Sequence, residues 1–370
     1  MKIKFFILAF IVCKCFGVVV HTKPQNIKVG VIENFQHGWA SAKYPDYYMN
    51  GMQIAVMDGH KKNINYQLKV FVYDASPANM LKQLDLLKKW NPDIIIGPRY
   101  SEEFLWLSSN IGLDTLTVSP YATSAEVYKL PNNFYTLGNP DVISANRIFS
   151  YVKQINSNKQ NITMLTDIEC KSCVTIKEQL EKKFTQDTNK LINIDFINKQ
   201  ISKNNINLSW IPKQTTSTIF ILNCRGREAG ILMPSIGDYL SRSNMVYIGG
   251  DGWGSSQVWS VAKINGQYTY NAYKIAYDFK KIKNITANQF VNDFNNEFSY
   301  VPDNISYLSY NALDSITEAI NKYNCGISDV KINTLCSYQK AIKVNPQFHR
   351  PQIYNVYKMN PSNEQFMGEI

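Results

Sequence analysis

From residue 27 onward, short apolar runs alternate with longer amphipathic ones, and this alternation constrains the fold more than any other feature. "NIKVGVIENF" places Ile27, Val29, Val31 and Ile32 in a strand-like run, and "YYMNGMQIAVMDGH" then spaces Met49, Met52, Ile54, Ala55 and Met57 as a helix does. "YQLKVFVYD" alternates Leu68, Val70 and Val72. Ser76-Pro77 caps a helix with an apolar face of Met80, Leu81, Leu84 and Leu87, proline suiting the first helical position. "PDIIIGP" is a fully apolar strand, "SEEFLWLSSNIG" a helix and "LDTLTVSP" a further strand. The order β-α-β-α-β-α-β predicts a parallel sheet with helices on both faces.

The rhythm then restarts. "DVISANRIFSYVKQI" reads as a helix capped by Asp141, "NITMLTD" as a strand and "CVTIKEQLEKKFTQ" as a helix. "INIDFIN", "STIFILNC" and "NMVYIGGDGWG" supply strands, with "GREAGILMPSIGDYL" a helix before the last. Helical spacing continues through "YTYNAYKIAYDFKKI", "ANQFVNDFNNEF" and "YLSYNALDSITEAINKY", and "PQIYNVYKM" is a late strand. With 370 residues there is room for two cores, and no low-complexity linker separates the halves. Two packed lobes are expected, with the C-terminal helices covering the first.

The N-terminus sets the compartment. Lys2 and Lys4 precede "FFILAFIVC", with small residues following, so residues 1–17 read as a secretory signal, too short for a bilayer-spanning helix of about 20 residues. Export makes nucleic acid an unsuitable partner for the net charge of +10, which a lysine- and asparagine-rich surface accounts for. Removing the signal leaves five cysteines. Cys325 and Cys336 are expected to close the loop "CGISDVKINTLC" in an oxidising compartment. Cys170 and Cys173 form a Cys-x-x-Cys that reads as a structural bridge or as partners for Cys224; a redox pair or a zinc site is the weaker alternative. No hydrolase, zinc-protease or phosphate-loop motif occurs, so neither an enzyme nor a cofactor is expected.

Several segments in order, "VFVYD", "LLKKWNPDIIIGPRYSEE", "TVSPYATS", "NFYTLGNPDVISANRIFSYV", "VYIGGDGWG" and "YLSYNALDSITEAI", resemble the type I periplasmic binding proteins, the group of branched-chain amino acid binding proteins and related receptor domains. The resemblance spans nearly the whole mature chain. It implies an α/β, two-lobed fold, each lobe a parallel sheet flanked by helices, with three crossovers between them and "VYIGGDGWG" at the return crossover. The lobes are expected at 24–138 plus 252–338 and at 139–251 plus 339–370.

The resemblance further implies a monomer in the periplasm that captures a small polar ligand, an amino acid or related carboxylate, and hands it to the permease of an ABC transporter. A sensory or cell-envelope role on the same scaffold is the alternative. Carried over by position, Ser101, the backbone of Tyr121 or Ala122, and Thr123 would hold a carboxylate, and Asp251 an ammonium. The aromatic that amino acid binders carry in the second lobe falls near Lys171 and is not matched. From the residues themselves, Phe35, His37, Trp39 and Tyr44 are candidates for a cleft wall. Each candidate has a plainer role to set beside this one: Ser101 as a helix cap, Thr123 in a turn, Asp251 as a turn former among glycines.

Overall fold

A computed structural model describes residues 25–34, most of 44–253, then 271–277, 285–323, 354–359 and 364–369. The first half builds β1 (Gln25–Glu33), α1 (Tyr44–Lys61), β2 (Ile64–Val72), α2 (Pro77–Trp90), β3 (Ile94–Ile96), α3 (Ser101–Asn110), β4 (Leu116–Ser119) and β5 (Phe134–Thr136). These five strands form one parallel sheet in the order β2-β1-β3-β4-β5. The three isoleucines of β3 show why its run is wholly apolar. Ile94 and Ile96 join Val29, Met52 and Tyr310 on one face, while Ile95 joins Leu84 and Phe104 on the other. A strand covered on both sides has no polar face to alternate with.

The second half begins with α4 (Asp141–Ile155), β6 (Ile162–Asp167), α5 (Lys171–Thr185) and β7 (Leu191–Phe196). A small antiparallel pair, β8 (Ile201–Ser202) and β9 (Asn205–Ile206), precedes β10 (Ile219–Asn223), α6 (Gly226–Leu240) and β11 (Val246–Gly249). Its sheet runs β14-β13-β12-β11-β10-β6-β7, closed by β12 (Asn271–Tyr277), β13 (Tyr354–Met359) and β14 (Glu364–Glu369). All neighbours pair in parallel except the antiparallel pairs β12–β13 and β13–β14. Alternation divides the core again: Ile219 and Ile221 of β10 pack with Ile148 and Leu180, and Phe220 and Leu222 pack with Leu232 and Trp253.

Two helices, α7 (Ile285–Phe298) and α8 (Asn304–Tyr323), pack on α1 of the first half, as expected of the C-terminal helices. The α1–α8 contact is close because Gly51 lacks a side chain; a Cβ there would lie 2.1 Å from the Ser306 carbonyl oxygen. Tyr66 of β2 bonds Thr317 of α8 at 2.7 Å.

Four expectations need correction. Residues 271–277, within the "YTYNAYKIAYDFKKI" read as helical, form β12. The strand lies between β11 and β13 and is buried along most of its length, so it offers no polar face to distinguish it from a buried helix. These residues belong to the second sheet, so 252–338 does not lie wholly with the first half. The chain stays in the second sheet from β11 to β12, and "VYIGGDGWG" is therefore not the return crossover; the changes of half fall between Thr136 and Asp141, Tyr277 and Ile285, and Tyr323 and Tyr354. Finally, Asp141 is the first helical residue of α4, not its cap: Pro140 occupies the cap position and supplies no side-chain bond. Ser76 does cap α2, accepting from the Asn79 amide at 3.4 Å.

Cys170 and Cys173 are joined to each other, and Cys224 is a buried free thiol. Cys325 and Cys336 lie outside the described residues, as do the signal at 1–17 and Phe35, His37 and Trp39; the side chain of Tyr44 is likewise outside. Among the described residues no helix is long and apolar enough to cross a membrane.

Candidate functional site

Open α/β sheets place reactive groups at the carboxyl ends of their strands, where the chain leaves the sheet and side chains are not committed to the core. In the first half these ends carry Glu33-Asn34 after β1, Gly97 to Ser101 after β3, and Ser119 to Ser124 after β4. In the second they carry Asp167 after β6, Cys224-Arg225 after β10, and Asp251 after β11. The two sets meet. Thr123 Oγ1 lies 3.3 Å from Ser172 Oγ, the Ala125 amide donates to Thr175 Oγ1 at 3.3 Å, and Arg225 is ion-paired with Glu102. The Arg225 guanidinium also covers the Tyr100 ring at 4.3 Å, whose ring has Arg99 at 4.4 Å as well.

The β4 turn, "SPYATS", is held by two serine hydroxyls. Ser119 Oγ donates to the Pro98 carbonyl at 2.6 Å and accepts from the amides of Tyr121 and Ala122 at 3.3 and 3.0 Å. Ser101 Oγ accepts from the amides of Thr123 and Ser124 at 3.0 and 3.1 Å. Ser101 thus caps a neighbouring turn and not its own helix; α3 has Tyr100 at its cap position, with no side-chain cap bond. All four amides from Tyr121 to Ser124 are engaged by hydroxyls, including those expected to meet a carboxylate. Ala122 is fully buried against Phe104 and Phe134. Thr123 also accepts the Asp141 amide on its carbonyl at 3.1 Å, which ties the turn to the first change of half.

Tyr121 is half-buried, and its hydroxyl is sealed from water without a hydrogen bond. Burial, then Asp303 and Asp251, raise its pKa well above the phenolic value. Asp251 follows Gly250 with its surface open to water, yet protein crowds round it closely enough that burial raises its carboxyl, while Gly252 N–H and Lys274 pull it down. Of the glycines beside it, Gly249 makes room for the Trp253 indole: a Cβ would lie 2.0 Å from that ring, whose Nε1–H donates to the Cys224 carbonyl at 3.2 Å.

Sequence reasoning missed three groups. Asp141 is 1 % exposed, and burial, followed by the Asp251 charge, pushes its carboxyl up to about 8. The second is Arg225, whose one sequence signal is an arginine directly after an apolar strand in "FILNCR". The third is a polar cluster beneath β1 and β3. Glu33 lies 3.4 Å from Arg99 Nε, Arg99 Nη2 donates to the Asn34 carbonyl at 3.1 Å, and Tyr73 donates to Glu103 at 2.8 Å. Burial raises Glu33 to about 8 and Glu103 to about 7 despite the guanidinium. The Cys170–Cys173 bridge staples the first turn of α5, where Cys170 Sγ accepts the Cys173 amide at 3.2 Å, and so fixes Ser172 and Thr175 against the first half.

No family model matches the chain, and no curated protein matches it. Solved structures do. The chain superposes on the leucine-binding protein LivK of Thermotoga maritima with a TM-score of 0.73 at 16 % identity, covering 93 % of this chain and 98 % of that one. This is the fold of the type I periplasmic binding proteins. LivJ of Streptococcus pneumoniae in complex with isoleucine gives 0.70 at 15 % identity, covering 94 % and 100 %. A solute-binding protein of an ABC transporter from Rhodopseudomonas palustris in complex with benzoate gives 0.71 at 13 %, covering 93 % and 96 %. At these identities the likeness is one of fold. Both halves of this periplasmic-binding-protein fold, with their strand ends turned towards each other, are thus present in one chain.

Proposed function

We propose that this protein is an exported solute-binding protein that captures a small polar solute between its two α/β halves and delivers it to an ABC-type membrane transporter. The observation that carries the reading is coverage: the likeness takes in 93 % of this chain and 98 % of a leucine-binding protein, so both halves are matched and not one domain alone. The chemistry at the strand ends agrees with it. Polar groups from the two halves converge there, as a solute-holding site requires.

In this reading Tyr121, Thr123 and Asp141 line the first half and its exit, Asp251 and Arg225 the second, and the Ser101 O–H remains to donate after its oxygen has accepted two amides. Closure brings Thr123 to Ser172 and Glu102 to Arg225 as the halves hinge together. Delivery occurs outside the cytoplasm, where the N-terminal signal would send the chain. The test is titration of the purified mature chain with leucine, isoleucine, benzoate and a panel of other amino acids, followed by tryptophan fluorescence. A saturable change with one site per chain supports the reading; a flat response to every solute refutes it.

A further inference from the structure

Cys170 and Cys173 stand where the two halves touch, and their bridge joins residues three apart at the start of α5. A disulfide stabilises a fold chiefly by closing a loop in the unfolded chain, and the gain is least when that loop is short. Only Lys171 and Ser172 lie between these cysteines, so global stability gives little reason for the bond. What it does fix is one contact across the halves. Ser172, enclosed by the bridge, has its Oγ 3.3 Å from Thr123 Oγ1, and Thr175 in the next turn accepts the Ala125 amide at 3.3 Å. Both cysteines are nearly buried, yet Lys171 is exposed and Ser172 half-buried, so the bridged turn faces water on one side.

The two sulfurs are not equivalent. Cys170 occupies the cap position of α5, and its Sγ accepts the Cys173 amide at 3.2 Å. An amide donor and the positive end of a helix both stabilise a thiolate. Cys173 lies inside the first turn, its carbonyl held by Asn223 Nδ2 at 2.6 Å. An external thiolate attacking Cys173 Sγ therefore expels Cys170 as the better leaving group and forms a mixed disulfide with Cys173. A second thiolate attacks the reagent's sulfur in that mixed disulfide. Cys173 leaves as a thiolate, and the reagent ends as its own disulfide, two electrons having passed to the bridge. The protons shed by the two reagent thiols balance those the two cysteines take up. Cys224 is not an internal nucleophile for this exchange: burial pushes its thiol well above the ordinary value and keeps it protonated.

We propose that the Cys170–Cys173 bridge exchanges with external thiols and thereby switches the contacts that α5 makes across the halves. Oxidised, it holds Ser172 and Thr175 against the turn at Thr123 and Ala125; reduced, it releases them. Asn223 keeps the start of α5 on its sheet in both states, so the fold survives the change. The co-reactant is a small thiol or the dithiol of a carrier protein. The inference goes beyond solute capture and does not depend on it.

The test equilibrates the mature chain in mixtures of 2-mercaptoethanol and its disulfide, a mild couple, then alkylates free thiols and locates them by peptide mass spectrometry. Circular dichroism follows the fold in the same samples, and hydrogen exchange of the Ala125 amide, resolved by NMR, reads the contact with Thr175. Cys170 and Cys173 are expected to become alkylated together while the helix signal is retained. Exchange at Ala125 should then quicken by about 2- to 10-fold, as for the loss of one hydrogen bond, while the amides of β1 stay as slow as before. The double substitution Cys170→Ser and Cys173→Ser, in which serine still caps the helix, should show the faster Ala125 exchange in every mixture. Reduction of the natural chain needs no substitution, so the result stands if that variant fails to fold. A bridge that stays closed in every mixture, or opens only as the helix signal is lost, would overturn the proposal. So would reduction that leaves Ala125 exchange unchanged, or that speeds exchange in β1 equally.

Discussion

Replacing Ser101 by alanine separates a structural duty from a ligand-binding one. The residue is 3 % exposed, and its hydroxyl oxygen accepts two amides, those of Thr123 and Ser124, at 3.0 and 3.1 Å. Alanine removes the one acceptor of both amides and leaves room for little more than the lost oxygen. An amide stranded in the interior costs about 1–3 kcal/mol. Ser124 is fully buried, so its amide bears the full penalty, whereas Thr123 is half-buried and its amide can recover part of the loss from water. The sum is about 2–4 kcal/mol of stability in the absence of any ligand. Urea unfolding followed by circular dichroism measures it, with Ser109→Ala as the control on the same helix. Ser109 is exposed and its hydroxyl only returns to the Leu105 carbonyl, so that change should stay within about 0.5 kcal/mol. A Ser101→Ala protein as stable as the control would refute the claim that this hydroxyl holds the turn.

Three further outcomes follow from the same contacts. Gly249→Ala drives a Cβ to 2.0 Å from the buried Trp253 ring and should destabilise by about 1–3 kcal/mol, read as a lowered thermal midpoint; an unchanged midpoint contradicts the packing described. Stability should fall as pH rises from about 5 to about 8, because Glu33, Glu103 and Asp141 hold protons in the folded chain to about 8, 7 and 8 but release them near 4.5, 4.5 and 3.8 when unfolded. The folded state binds more protons in that window, so a thermal midpoint that rises with pH would contradict the burial of these groups. Glu102→Ala removes the partly exposed pair to Arg225, which should change stability by less than about 1 kcal/mol, yet loosen the halves and enlarge the radius of gyration of the free protein in X-ray scattering. An unchanged radius would mean the pair does not bridge the halves.

How much of this was legible in the sequence depends on which physical signal each part leaves. The parallel core was legible because strands buried on both faces, such as Ile94–Ile96 and residues 219–222 of β10, are apolar throughout and bounded by proline, glycine or polar residues. The same signal misled at Asn271–Tyr277, where an apolar run with tyrosines is equally a helix until its neighbours β11 and β13 are known. The turn "SPYATS" was legible as a polar feature after a strand, but not the direction of its amides. Ser101 lies more than twenty residues away, and only the close approach of the β3 and β4 ends shows that the two serines satisfy the turn between them. Asp141 was legible as a helix start, and its burial was not, since nothing local in "NPDVIS" reports what packs over the start of α4.

Native mass spectrometry of the mature chain, incubated with a mixture of free amino acids, aliphatic amines and aromatic acids, tests solute capture most directly. The account predicts one small-molecule adduct per chain. Bare protein mass after every mixture, under conditions that preserve the fold, would contradict it.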